Sequence, residues 1–289
     1  GKLGATSFTA LVAEDRGGGS VILPGPNGSD LADQDFSSLD LVGRVRHDLG
    51  RSFVSLLVTD KEVRGGGSNR VFGPDFRFSP NDADTITGQL LFSGSETPVR
   101  PDLAAEWDGR SISGHGADVW WNRSTETWDF GAEYKDFSDG FRADLGFVPQ
   151  VGFREGYGEI GRTFRPKGFF SRVRLFLLAD YVADREGNVL SQVVIPGIGF
   201  DTKYNGFVRL EPRSERVLAG DKVLPRRRLV WSMSAVPSRV FGSVGLDGSI
   251  GEEIDFEGAR RGHGGRVGAS ALVRPGDHLE LDLRGEVRW

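Results

Sequence analysis

Histidine and cysteine are the first residues to examine for metal chemistry, and the sequence offers little of either. There is no cysteine, and the four histidines are His47, His115, His263 and His278. No two histidines have the spacing of zinc ligands, and thiolate ligands are excluded. We therefore expect no metal site, and the histidines are interpreted as polar residues of strands and loops.

A serine and a histidine stand close together in Ser111-Ile112-Ser113-Gly114-His115. On an extended strand, Ser113 and His115 would point to the same face, as a nucleophile and its general base require. No third residue that would orient the histidine is identifiable, and no Gly-x-Ser-x-Gly elbow precedes a helix. A non-enzymatic function is favoured, and a hydrolase acting on glycans or esters stays as the alternative.

Paired carboxylates and glycine-rich segments are two further candidates. Glu280 with Asp282, and Glu252 with Glu253, could indicate glycoside hydrolysis. The segments 17–20 and 65–68 lack the Lys-Ser/Thr and the helix of a phosphate-binding loop, and 79–84 lacks calcium-loop spacing. We interpret the carboxylates as part of a hydrated strand face and the glycine-rich segments as loops, and we expect no cofactor.

The strands that would carry these residues are most evident at the end of the sequence. From His278 to Trp289, apolar or small residues alternate with ionisable ones. Successive side chains of a strand point to opposite faces, so one face of this strand is apolar and the other is charged. The same alternation occurs around Trp128, Phe130 and Tyr134, whose partners on the other face include Asp129, Glu133 and Lys135.

Continued along the chain, this pattern predicts an all-β protein of about fifteen strands and no helix. Glycine is abundant, at 42 residues, as expected for many turns. No apolar run approaches the length of a transmembrane helix. The predicted strands lie near 3–13, 38–48, 51–60, 70–79, 84–93, 110–121, 125–136, 153–164, 171–183, 189–201, 206–214, 227–236, 239–249, 266–275 and 278–289.

The connections between these strands alternate between short and long. Short turns are predicted near 48–50, 79–82, 122–124, 165–168, 203–206, 236–238 and 275–277, and longer loops near 14–37, 61–69, 94–109, 137–152, 184–188, 215–226 and 250–265. Outer-membrane barrels have short periplasmic turns and longer external loops. We therefore predict an antiparallel up-and-down transmembrane β-barrel, with a soluble β-rich binding protein as the alternative.

A barrel of this size has a hydrated lumen, so the two faces of each strand receive different assignments. The residues predicted to face the lumen are Arg44, Arg46, Asp129, Glu133, Lys135, Glu280, Asp282, Arg284, Glu286 and Arg288. The residues predicted to face lipid are Leu39, Leu41, Trp128, Phe130, Tyr134, Leu175, Leu177, Leu279, Leu281 and Trp289. Trp128, Tyr134, Tyr181 and Trp289 lie near strand ends and suit aromatic girdles.

Two features of the charge bear on partners. The net charge of -5 provides no basic footprint, so we expect no nucleic-acid partner. The run Arg226-Arg227-Arg228 begins the twelfth predicted strand, at an external end in this topology, where it could contact anionic lipopolysaccharide.

Several segments together resemble a known family. They are 1–4 with 10–13 (GKLG and ALVA), 44–52 (RVRHDLGRS), 69–75 (NRVFGPD) and 141–148 (FRADLGFV). This set is similar to an uncharacterised outer-membrane β-barrel domain family found C-terminal to a family-9-like carbohydrate-binding domain in Gram-negative bacteria. The matching segments span roughly the first 165 residues.

The resemblance implies an outer-membrane location, contact with outer-membrane lipid, and a carbohydrate-associated pore or surface platform. It implies no catalytic residues. It also implies that 1–289 is a barrel domain from a longer chain, with a binding domain before it and further strands after it. An odd number of predicted strands agrees with that expectation, because bacterial barrels have an even number. The alternative is a complete barrel in which the terminal Trp289 is the aromatic assembly signal and the strand count is wrong by one.

Overall fold

A computed structural model of the protein describes residues 1–203 and 205–289. Strands make up 74% of the structure, and the described residues contain no helix. The eighteen strands are β1 (Lys2–Leu3), β2 (Thr6–Asp15), β3 (Gly19–Gly25), β4 (Gly28–Gln34), β5 (Ser38–Leu49), β6 (Ser52–Val63), β7 (Ser68–Phe78), β8 (Asp84–Glu96), β9 (Ser111–Ser124), β10 (Trp128–Phe137), β11 (Phe153–Phe164), β12 (Phe170–Asp184), β13 (Val189–Thr202), β14 (Gly206–Ala219), β15 (Lys222–Ala235), β16 (Phe241–Asp255), β17 (Arg260–Gly276) and β18 (Leu279–Arg288).

Sixteen of these strands form one antiparallel up-and-down sheet, in the order of the chain from β1 to β18. Only β3 and β4 stand apart, as a two-stranded hairpin between β2 and β5. The all-β, up-and-down prediction is confirmed, and each of the fifteen predicted strands corresponds to one long strand of this sheet. The two-residue β1 is the additional member.

The loop predicted at 14–37 is wrong in part, because the hairpin of β3 and β4 occupies most of it. Its two-residue turn is Pro26-Asn27, which is followed by Gly28 with a φ of 131°. Asn-Gly between two short strands is a strong hairpin signal. The flanking strands alternate only weakly between apolar and polar residues, so the pattern of hydropathy favours a loop there in spite of this signal.

Two other long connections, predicted at 215–226 and 250–265, are wrong for a different reason. The structure continues β14 to Ala219 and starts β15 at Lys222, so only residues 220–221 connect them. Likewise, only residues 256–259 lie between β16 and β17. These strand ends carry charged residues on both faces. Their sequences therefore lack the alternation between apolar and polar residues that distinguishes a strand from a loop. The Arg226–Arg228 run accordingly lies inside β15 and not at its start.

The remaining connections follow the prediction more closely. Residues 97–110 and 138–152 are long loops without regular strands, and Gly50 occupies a two-residue turn with a φ of 67°. The predicted turn at 203–206 includes Tyr204, which lies outside the described residues. No helix in the described part of the chain has both the length and the apolarity to cross a bilayer.

The chain divides into two compact units. Unit 1 comprises Gly1–Asn122, Ala132–Gly156 and Ala183–Asn188, and its buried core consists of Val71, Phe141 and Val151. Leu91, Phe137, Ala143 and Val148 pack against that core.

Unit 2 comprises Arg123–Gly131, Tyr157–Val182 and Val189–Trp289. Its largest buried side chain is Phe176, which lies between the guanidinium groups of Arg174 and Arg209 at 5.0 and 4.5 Å from the ring centre. The ring also covers Gly197, where a Cβ would come within 2.1 Å of it. Glycine therefore allows the aromatic ring to lie flat on the neighbouring strand.

Gly73 in β7 provides a test of this close strand packing. A Cβ at Gly73 would lie 1.9 Å from the carbonyl oxygen of Leu90, whereas a Cβ at Gly43 in β5 would meet nothing within 4 Å. We expect Gly73→Ala to lower the free energy of unfolding by about 1–3 kcal/mol because the strands must separate. Gly43→Ala is the matched control, and urea unfolding followed by tryptophan fluorescence measures both. Equal stability of the two variants would contradict the strand packing at Gly73.

Candidate functional site

The strands β5 to β8 of unit 1 have two faces of opposite character. The mainly polar face is covered by other parts of the unit, and its buried side chains are Val71 and the polar residues Ser38, Ser55, Thr59, Lys61, Asn69 and Ser93. The apolar face is open: Leu39, Leu56 and Phe72 are 53%, 51% and 55% exposed. This is the reverse of a sheet in a water-soluble protein, where the apolar face is the covered one.

Loop 138–152 covers much of the polar face and is held there by hydrogen bonds. The Asn69 side chain donates to the Arg142 carbonyl oxygen at 2.9 Å and accepts from the Asp144 amide at 3.0 Å. The Arg142 amide in turn donates to the Ser93 hydroxyl at 3.0 Å. Phe141, fully buried, anchors the centre of the loop. Both ends of the Asn69 amide are thus used to position this loop.

The hairpin and loop 97–110 complete the cover. Gln150 donates to the Pro26 carbonyl oxygen at 2.7 Å, which ties loop 138–152 to the hairpin turn. Arg100 joins Asp35 and Asp102, with both carboxylates 2.8 Å from its Nη2 atom. Hydrogen bonds from the Arg100 guanidinium, with a smaller contribution from its positive charge, lower the pKa of both carboxyl groups. The loops are therefore fastened to each other as well as to the sheet.

A cavity of about 250 Å³ lies within this covered region of unit 1. Its wall contains five carboxylates, two cationic groups and two aromatic rings, namely Asp15, Asp40, Glu96, Glu106, Asp144, Lys61, Arg142, Phe36 and Trp107. Trp107 is buried and packs edge to face on Phe36, with ring centres 5.8 Å apart. The cavity therefore combines hydrogen-bond donors, acceptors and a rigid apolar surface.

Lys61 is the most unusual residue of this wall. It is only 4% exposed, and its ammonium group makes no hydrogen bond or ion pair with any described residue. It acts on Asp15 and Asp144 through longer-range attraction alone. A buried ammonium without a direct acceptor is costly, so this group is available to a polar ligand in the cavity.

Asp144 faces the same cavity from loop 138–152. Asp144 is exposed to solvent, yet the protein atoms around its carboxyl group raise the pKa of that group by desolvation. The positive charges of Lys61 and Arg142 oppose this effect without cancelling it. Asp144 can therefore hold its proton more readily than an ordinary carboxyl group and can serve as a hydrogen-bond donor.

The residues predicted to face the lumen are ion-paired within their own units. Arg44 pairs with Asp75, Arg46 with Asp48, and Lys135 with Glu133 and Glu155 at 3.0 and 3.2 Å. Asp129 pairs with Arg174. On β18 and its neighbour the pairs are Arg274–Glu280, Arg284–Asp282, Arg266–Glu286 and Arg288–Glu286. Their charges neutralise one another locally, and their assignment to a lumen stays a prediction.

Most of the residues predicted to face lipid are solvent-exposed in the structure. These are Leu39, Leu41, Trp128, Tyr134, Leu175, Leu177, Leu279, Leu281 and Trp289. Phe130 is half-buried and stacks on Trp128, with ring centres 6.0 Å apart. The structure thus leaves this apolar set uncovered, and its contact with lipid stays a prediction.

The Ser113–His115 candidate does not form a catalytic pair. The imidazole Nε2 atom of His115 lies 3.3 Å from Asp136, a carboxylate that Arg154 and Arg185 also bind. Ser113 makes no side-chain hydrogen bond with any residue that the structure describes. Within the described residues, no group of three or more His, Asp or Glu side chains could hold a metal ion.

Comparison with known proteins provides no family. No protein-family model matches the chain, and no curated protein matches it significantly.

Sequence reasoning missed Lys61, Asp144 and Trp107 as a group. They come from a strand and from two loops that are distant in sequence, and no spacing connects them. Lys61 follows Ser55 and Thr59 on one side of β6, but Leu57 shares that side, so the pattern gives no signal of a site.

The raised pKa of Asp144 gives a test with a definite sign. An unfolded aspartate titrates near pH 3.9, so between that pH and the higher folded pKa the unfolded state releases the proton first. The ionised unfolded form is then favoured, and stability falls as pH rises through this window. We expect Asp144→Asn to raise the urea unfolding midpoint at pH 7 and to have no effect below about pH 3.9.

Asp102→Asn is the control of opposite sign. Arg100 lowers the pKa of Asp102, so its stabilisation is present above the unfolded pKa and is lost as pH falls through the folded one. The substitution should lower the midpoint at pH 7. A lower midpoint at pH 7 for Asp144→Asn as well would refute the assignment to Asp144.

Proposed function

We propose that this chain forms the wall of an outer-membrane β-barrel, with the apolar face of its strands against acyl chains. The observation that carries the proposal is the inverted burial of unit 1, in which loops cover polar residues such as Asn69 and leave Leu56 and Phe72 open. The loops of unit 1 could have covered either face of these strands, but they lie on the polar face. Leu56 and Phe72 are therefore left for an apolar medium outside the protein to cover.

The register makes the open face a continuous band. Val45 pairs with Phe8 and Leu56, and Val58 pairs with Phe72, which contacts Phe92. Contiguous exposed apolar surface of this kind is uncommon on soluble monomers and marks contact with a membrane or another protein.

The band ends at a collar of charged residues on the same face of unit 1. Arg70 binds Asp60 at 3.3 Å and also Glu62, and Arg64 binds Glu14. A change from apolar side chains to ion pairs along one face is what the boundary between acyl chains and headgroups requires.

Closure is the second requirement of a membrane sheet. In a bilayer every backbone N–H and C=O must be paired, so a sheet can span it only as a closed barrel. β1 and β18 stand at the two ends of the strand order. The proposal therefore includes strand partners for both edges in the membrane-embedded form. The segments that resemble an outer-membrane barrel family support the same location.

Leu56 and Leu57 test this proposal because they are adjacent in β6 and lie on opposite faces. Leu56 belongs to the open band, and Leu57 points to the same side as Ser55 and Thr59. We expect Leu56→Arg to lower the free energy of unfolding in lipid vesicles by about 2–4 kcal/mol, because an arginine would enter the acyl-chain region. Leu57→Arg, the matched control, should be tolerated better.

The measurement is urea unfolding of vesicle-inserted protein, with a gel-shift of unheated samples as a check on insertion. In a soluble β-protein, Leu56→Arg would be tolerated better than Leu57→Arg, because Leu56 would then face water. Monodisperse protein without detergent, together with a neutral Leu56→Arg, would exclude the barrel.

We further propose that the cavity of unit 1 captures a neutral polyhydroxylated solute of about monosaccharide size, which makes the barrel a carbohydrate-associated platform. At about 250 Å³ the cavity is near the lower limit of ligand pockets. Both charge signs line it, which suits hydroxyl groups that donate and accept, and Trp107 supplies a flat apolar surface. Lys61 is the group most in need of an acceptor.

Lys61→Met tests this role. It keeps the length of the side chain and removes the ammonium group, so we expect affinity for a binding sugar to fall about tenfold or more. Titration calorimetry with glucose, galactose and xylose measures it. Lys167→Met, in the exposed connection after β11, is the matched control and should bind like the parent. Absence of binding by the parent, or equal binding by Lys61→Met, would reject the solute site.

A further inference from the structure

An apolar groove of about 600 Å³ lies on unit 2, across β13 to β16. Its apolar lining consists of Val194, Pro196, Pro212, Leu229 and Ile250. Ser214, Arg227 and the adjoining arginines Arg213 and Arg228 also border it. The groove is therefore apolar along its length and bordered by cationic residues.

Two prolines account for the groove. The ladder between β13 and β14 passes directly from Val194↔Ser214 to Ile198↔Leu210, and Pro196 and Pro212 lie in the interrupted part. Proline has no backbone N–H and cannot complete a ladder. The two prolines therefore stand in a stretch that lacks the regular pairing, and this is where the depression lies.

The arginine run of β15 is divided between the two faces. Arg226 and Arg228 point to one face and bind Glu215 at 2.7 and 3.1 Å. Arg227 points to the other, with Leu229, and is paired in register with Ser214. Its guanidinium makes no hydrogen bond or ion pair with any described residue. One unpaired cation therefore stands at the border of the apolar groove.

The charges around Arg227 favour an anionic partner. Arg216 lies on the same face of β14, two residues from Ser214, and also makes no ion pair within the described chain. The nearest carboxylate on this face, Glu252, accepts from the Arg227 backbone amide at 2.8 Å and is bound by Arg261 at 3.2 Å. Its charge is thus already matched, and the Arg227 guanidinium has no acceptor of its own.

We infer that this groove is a binding site for lipid A, with an acyl chain along the prolines and a phosphate on Arg227. The inference rests on the proposed membrane location. A guanidinium binds phosphate through two parallel hydrogen bonds. This interaction becomes stronger where water is excluded. This end of β15 lies on the predicted external side of the alternating turns, where the connection is residues 220–221 and not a long loop. The outer leaflet of the outer membrane holds phosphorylated glycolipid.

The test uses the full chain inserted into nanodiscs of phosphatidylcholine that contain equal small fractions of lipid A and phosphatidylglycerol. Native mass spectrometry counts the lipid A molecules that stay bound after the bulk lipid is removed. We expect Arg227→Gln to reduce the bound fraction about tenfold. Ser214→Phe, which would fill the groove with an apolar ring, should reduce it without altering the charge.

Arg239→Gln is the matched control, because Arg239 is exposed in the connection at the other end of β15 and the substitution removes the same charge. It should retain lipid A like the parent. Parent protein that inserts but binds no lipid A, equal loss with Arg239→Gln, or equal retention of phosphatidylglycerol would overturn the lipid A site and leave the membrane proposal intact. Failure of the parent to insert would overturn both.

Discussion

The register of the antiparallel ladder is the constraint on which every assignment of a face depends. Side chains alternate with a period of two, so a slip of one residue between β5 and β6 would exchange Leu56 with Leu57 on the open face. The fixed pairing of Val45 with Leu56 therefore determines that apolar residues form one continuous surface. Loop 138–152 and the cavity beside it exist only because the other surface is polar enough to hold them.

Charged residues on the covered face are stabilised by each other and not by bulk water alone. In unit 1 the Lys135 ammonium is shared between Glu133 and Glu155. In unit 2, Glu215 is shared between Arg226 and Arg228. Partly buried ion pairs of this kind lose hydration, and their multiple partners offset that cost. Lys61 and Arg227 differ from these groups, because neither has a hydrogen-bond or ion-pair partner among the described residues. Both proposals for ligands begin from that contrast.

The strands were predictable to a large extent, whereas the site was not. Alternation located all fifteen long strands, because each has one apolar and one polar face over several residues. It failed where that contrast disappears, as in the charged ends of β14 and β16 and in the weakly patterned hairpin of β3 and β4. The cavity residues gave no sequence signal, because Lys61, Trp107 and Asp144 meet only after two loops fold onto the sheet.

The sequence by itself determined the strand content, the up-and-down order and the division of each strand into an apolar and a charged side. These are local properties, since a period of two is visible within a few residues. Only the tertiary structure decided which face the loops of unit 1 cover and that Lys61 is buried beside a cavity. It also decided that Arg226 and Arg228 pair with Glu215, whereas Arg227 makes no ion pair with a described residue. Those outcomes depend on contacts between residues far apart in the chain, and no local pattern carries that information.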